Sequence, residues 1–105
     1  MINAREARNL TDNAKSDKLL AAIKWAEQEM DYLEQDIMEA INNGEYSTTY
    51  WWGNSLLKEA NVSAKDAKTA FEKILGSLGY HTRYGLNIFV NGIPAFEITI
   101  SWEDG

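Results

Sequence analysis

The side chains most able to do chemistry in this sequence are acids. Glu27, Glu29, Asp31, Glu34, Asp36 and Glu39 follow one another with no Lys or Arg between them. Glu27, Asp31 and Glu34 are spaced i, i+4, i+7, so a helix lines them along one face. Such a face offers oxygen ligands to a divalent cation, or a row of negative charge that imitates phosphate to a basic partner. It is also what the solvated side of an amphipathic helix looks like. Metal chemistry lacks its usual companions. No Glu-x-x-His pair accompanies the acids and no Asp-x-Asp-x-Asp-Gly loop is present, so neither a di-iron bundle nor an EF-hand is expected. We therefore expect no metal centre, and any role for Glu27, Asp31 and Glu34 is partner binding.

Catalysis has less to stand on. His81 is the sole histidine, and a histidine base needs a nucleophile and an orienting group in a recognisable arrangement. The serines and carboxylates fall into no such motif. The chain has no cysteine, which removes disulfides, thiolate metal sites and cysteine nucleophiles. It has no glycine pattern for cradling phosphates, neither G-x-x-x-x-G-K-[ST] nor G-x-G-x-x-G. The expectation is a non-enzyme with no cofactor.

The acids lie on the best-defined element. From Lys18 to Asn43 the apolar residues Leu19, Ile23, Ala26, Met30, Leu33, Ile37 and Ala40 alternate in steps of four and three, a coiled-coil-like seam. Leu20, Ala22, Trp25, Tyr32, Met38 and Ile41 widen the apolar surface, so the helix is expected to pack on a sheet, a second subunit, or both. Asn3 with Glu6 forms an earlier start of capping-box type, and Ser16 with Asp17 another. Whether residues 3–43 make one helix or two is left open. Asn42-Asn43-Gly44 stops the helix.

Tyr46 to Trp52 is β-branched and aromatic and predicts a first strand. Leu56 to Ala60 allows a short helical turn. Ser63, with Asp66 three residues on, caps a further helix whose stripe is Ala67, Phe71, Ile74, Leu75 and Leu78, ended by Gly79. Tyr80 to Val90 and Ala95 to Trp102 predict a hairpin around Asn91-Gly92. Phe96, Ile98, Ile100 and Trp102 alternate with Glu97, Thr99 and Ser101, as in a half-buried antiparallel strand. A plain two-residue turn sets Ile88 beside Ala95 and Phe96 on the other face. Matching the apolar faces across the hairpin asks for Ile88 opposite Phe96 and Leu86 opposite Ile98, hence an extra residue or bulge near Ile93-Pro94. The fold class is thus α+β: a long N-terminal helix, then strand, helix and β-hairpin, giving a three-stranded antiparallel sheet packed on helices. One such domain accounts for all 105 residues.

The sheet's second face is then the surface of most interest. It is expected to carry His81, Arg83, Asn87 and Phe89 among small hydroxyls, with either Trp51 or the Tyr50/Trp52 pair from strand one, unless the long helix or a second subunit covers it. Aromatics and Arg on an open face make a recognition surface for a protein, and they also resemble the stacking platforms of RNA binders. The net charge of −6 and the scattered bases oppose direct nucleic-acid binding. No segment reaches membrane-spanning length and Met1 to Glu6 begin no signal core, so a cytoplasmic protein is expected.

Asn3-Ala4-Arg5-Glu6-Ala7-Arg8, Gly44-Glu45-Tyr46-Ser47, Leu78-Gly79-Tyr80 and Ile100-Ser101-Trp102 together resemble the small accessory proteins of bacteriophages and prophages of Gram-positive bacteria. The resemblance spans most of the chain, although Trp51-Trp52 and the segment 53–61 are longer than its pattern. It brings no activity and no residue roles. It implies a protein working in a host cell's cytoplasm, either binding a host protein, such as a restriction or CRISPR nuclease, or building a virion. The leading expectation is a non-catalytic protein-binding module of the anti-defence type. A homo-oligomeric assembly protein built on the helix seam, with a homodimer as its simplest form, is the second. A small-ligand or nucleotide binder using Trp51, His81, Arg83 and Phe89 is the third.

Overall fold

In a computed structural model the elements run α1 (Ala4–Asn42), β1 (Ser47–Gly53), α2 (Asn54–Glu59), α3 (Ala64–Ser77), β2 (His81–Val90) and β3 (Ile93–Ser101). The description covers residues 1–103, apart from the side chain of Asn87. The fold is α+β, with one antiparallel sheet of order β1-β3-β2.

One helix of 39 residues occupies the N-terminal region. Asn3 starts it: its side chain accepts from the Glu6 amide at 2.9 Å and donates to the Glu6 carboxylate at 3.2 Å. Ser16 begins no second helix, because the backbone ladder runs through it unbroken. At the far end the amides of Gly44 and Glu45 return to the carbonyls of Ile41 and Ala40 at 3.0 and 2.9 Å, closing a Schellman motif. In α3 the Ser63 hydroxyl accepts from the Asp66 amide, and the Tyr80 amide closes the last turn on Leu75.

The seam of α1 is spent inside the chain. Of its residues Ala26, Leu33, Ile37 and Ala40 are buried, Ile23 and Met30 pack half-buried against the core, and Leu19 is half-buried. Of the flanking apolar residues, Ala22 and Trp25 join the core, whereas Leu20, Tyr32, Met38 and Ile41 are exposed. Trp52 sits at the centre of an aromatic cluster, with ring centroids 5.6 Å from Trp25, 4.7 Å from Tyr50, 5.0 Å from Phe71 and 5.5 Å from Phe96. Phe96, Ile98 and Ile100 complete this layer from β3 and are fully buried.

From Met1 to Ala21 no residue is buried. A helix of 39 residues is about 58 Å long at 1.5 Å per residue. It accounts for the longest dimension of the molecule, 60 Å against 33 and 20 Å. The first half of α1 is therefore an arm that reaches beyond the layer formed by the sheet and α3.

The hairpin corrects the expected register. Val90 pairs with Ile93 and Ile88 with Ala95, so the Asn91-Gly92 turn is the plain two-residue one. Both turn residues have positive φ, 53° and 81°, the conformation that matches strand twist and that Asn-Gly favours. The irregularity lies instead between Gly85 and Ile88, where Leu86 and Asn87 together oppose Phe96. Up to Gly85, Thr82 and Tyr84 share the helix side with Ile100 and Ile98. Beyond the bulge the faces exchange. Pro94 lies within β3, opposite Phe89, in a pair that exchanges no ladder bonds, and β1 has ended at Gly53 beside Ala95. Its missing N–H therefore costs no ladder bond.

Candidate functional site

The helices pack on the sheet face that carries Trp52, Phe96, Ile98 and Ile100. The register places three cross-strand rows on the other face: Ser47-Ser101-His81, Thr49-Thr99-Arg83 and Trp51-Glu97-Gly85. Thr49 and Thr99 hydroxyls meet at 3.2 Å in the middle row. Ser47, Thr49, Trp51, His81 and Arg83 are exposed, Trp51 to 42%. No helix covers these rows among the described residues.

His81 and Arg83 are thus brought to one face, and of the two choices open for strand one it is Trp51 that joins them. Phe89 is not. The bulge turns it to the side of Pro94 and Phe96, where it is 72% exposed near the hairpin tip. Asn87, expected on the open face, has a side chain outside the described residues. The same bulge moves Ile88 onto the open face, where its Cγ2 lies 3.0 Å from where a Cβ on Gly85 would stand. Ile93 shares that face by register and is half exposed. The surface therefore has an apolar end, with Trp51, Ile88 and Ile93, and a polar end, with the hydroxyl row, Arg83 and His81. The alternation of β2 hid Ile88. The signal that reveals it is Gly85, since a glycine inside a strand marks a bulge or close approach.

Chemically this face can stack, donate and accept hydrogen bonds, and present one guanidinium. His81 stands opposite Ser101, with no side-chain hydrogen bond between them among the described residues. No three His, Asp or Glu side chains gather as a metal would require among the described residues. Glu27, Asp31 and Glu34 are all exposed and turn away from the buried seam of α1.

A second acidic row, on the flank of α1 that overlies β1, is more closely tied to the sheet. Glu29 accepts from the Trp52 indole N–H at 3.4 Å. Asp36, Glu39 and Glu45 share a hollow with Thr48 and Thr49. Burial, then the neighbouring Glu39, pushes the Asp36 carboxyl above its ordinary value. Burial, then Glu29, Asp36 and Tyr32, does the same to the Tyr50 phenol. On the other side of the sheet's helix face, burial raises Tyr84, with Thr82 opposing and Glu72 adding to it. The Tyr84 hydroxyl is enclosed without a hydrogen bond of good geometry, and Lys68 Nζ lies 5.8 Å from its ring centre.

No family model, curated protein or solved structure matches this chain. No helix among the described residues is long and apolar enough to cross a membrane.

Proposed function

We propose that this chain is a non-catalytic protein-binding module whose contact surface is the open face of the sheet. The observation that carries the reading is Trp51, an exposed aromatic on a β-strand, beside Arg83, paired hydroxyls and exposed Ile93. Aromatic and Arg anchors within a polar surround are the composition of binding hot spots. The arm supports it. A helical stretch of about 15 residues with no buried residue is marginal in water on its own, so a partner that packs on it supplies the burial it lacks. The phage-accessory resemblance makes a host defence protein the partner class, with the module acting as its inhibitor in the host cytoplasm. Assembly through the α1 seam loses its motive, because the seam is already buried at home. A small-ligand site loses Phe89 to the other face.

The test is affinity capture from a lysate of the bacterial host, with mass determined by light scattering. The expected result is a monomer that retains a stoichiometric partner, and a Trp51→Ala, Arg83→Glu double variant that folds but retains none. Capture unchanged in that variant refutes the open face as the contact surface.

A further inference from the structure

The two edges of the sheet differ. β2 guards its edge with a bulge and with Arg83, whereas β1, Ser47–Gly53, has no bulge, no Pro and no charge. Edge strands lacking these devices are templates for another strand. The hydrogen-bond phase identifies which residues are free. Trp102 N–H donates to Tyr46 C=O at 3.0 Å, so Tyr46 and Trp102 form a bonded pair. Bonded and non-bonded pairs alternate in an antiparallel ladder, so Thr48, Tyr50 and Trp52 also bond inward. Ser47, Thr49 and Trp51 then turn their N–H and C=O groups away from β3. The short Thr49–Thr99 hydroxyl contact agrees, since side chains approach most closely in non-bonded pairs. Among the described residues nothing pairs with these outward groups.

The charge beside this edge selects the occupant. Glu29, Asp36, Glu39 and Glu45 flank β1 on the helix side, and no Lys or Arg occurs between Trp25 and Glu45. Two copies pairing β1 to β1 in antiparallel fashion bring Asp36 and Glu39 of one near the same residues of the other, which like charge opposes. A basic strand meets attraction instead. We propose that β1 is a docking edge for an extended, basic peptide segment of a partner protein, which adds a fourth strand beside Ser47, Thr49 and Trp51. Alternate side chains of that segment lie on opposite faces. Its Lys or Arg residues face Asp36 and Glu39, and its apolar residues lie over Trp51. About seven residues of the segment span the edge, at roughly 3.3 Å each. The proposal rests on the protein-binding reading and names the chemistry of its partner.

The probe is a fluorescein-labelled nonapeptide alternating lysine and valine, read by fluorescence anisotropy against the full chain. Its controls are the glutamate-valine analogue and the lysine-valine peptide with alternate amides N-methylated. Expected are saturable binding of the lysine peptide, weakened by salt, and new hydrogen-exchange protection at the amides of Ser47, Thr49 and Trp51. The methylated peptide is expected to bind about tenfold or more weakly, having lost several backbone bonds. Thr49→Pro removes one outward donor and gives a similar loss. The N-methylated peptide makes the same test on the unaltered protein. Asp36→Asn with Glu39→Gln also weakens binding. Absence of binding at millimolar peptide overturns the proposal, as does equal affinity for the methylated peptide, which reduces the attraction to charge alone. β1 amides protected by self-association in the free protein overturn it too. If the peptide fails while host-protein capture through Trp51 and Arg83 succeeds, only the edge proposal falls. If both fail, the protein-binding reading falls with it.

Discussion

Trp51 and Trp52 are neighbours in the chain and opposites in the fold, which makes them a sharp test of the face assignment. Trp52 is 3% exposed and its rings lie 4.7 to 5.6 Å from four other aromatic rings. An aromatic side chain of this kind buries about 200 Å² and is worth about 5 kcal/mol at 25 cal/mol per Å². Partial collapse of the cavity recovers some of this, so Trp52→Ala is expected to cost about 4 kcal/mol. Trp51 is 42% exposed on the open face, and its replacement by Ala costs about 1 kcal/mol, mainly in strand preference and partial burial. The difference of about 3 kcal/mol separates the urea midpoints by about 2 M at a slope of about 1.5 kcal/mol/M. Far-UV circular dichroism is the suitable probe, because four Trp residues confuse the fluorescence. Equal costs, or a larger cost at Trp51, refute the assignment of faces and with it the open recognition surface.

Further outcomes follow from the same packing. Deletion of residues 1–15 removes helix signal but shifts the urea midpoint by less than about 0.5 kcal/mol in stability, since no residue there is buried; a larger loss in a denaturation series contradicts the free arm. Gly85→Ala forces Ile88 aside at 3.0 Å and is expected to cost about 1 kcal/mol, measured in the same way. Asp36→Asn has a pH signature. The folded-state pKa of Asp36 is raised above its ordinary 3.8, so the folded protein binds this proton more tightly than the unfolded chain. Its ionised form therefore opposes folding at neutral pH, and that penalty disappears as pH falls through the raised value toward 3.8. Asp36→Asn is expected to be more stable than the parent at pH 7, with the gap closing toward pH 3.8; a gap that widens on acidification refutes the burial and like-charge account.

Much of the fold was legible because local chemistry and global packing agree. Asn3 and Ser63 cap where their side chains predict, and the α1 seam supplies Ala26, Leu33 and Ile37 to the core, which also takes the flanking Ala22. What the sequence could not convey is how far the body extends along α1. Leu19 and Leu20 read as equals of Ala22, yet the sheet and α3 bury only from Ala22 onward. The hairpin failed for a different reason. Strict alternation through all of β2 predicts one face for Leu86, Ile88 and Tyr84, whereas the Asn-Gly turn fixes its own register and leaves the mismatch to be absorbed at Leu86 and Asn87. That one insertion decided the site as well, exchanging Phe89 for Ile88 on the open face.

The continuity of α1 has a geometric consequence for how its arm can change. Substitutions on the arm touch no core side chain, so its surface chemistry can vary independently of folding. Its length cannot vary so freely. Each residue inserted between the arm and Ala22 turns everything before it by about 100° and lifts it by 1.5 Å. A one-residue insertion therefore re-aims Arg5 and Arg8 by more than a quarter turn relative to the sheet. An insertion of seven residues, about two turns, restores the heading within about 20° while moving the tip outward by about 10 Å. The arm works as an indexed shaft, with its composition free and its phase fixed by the body.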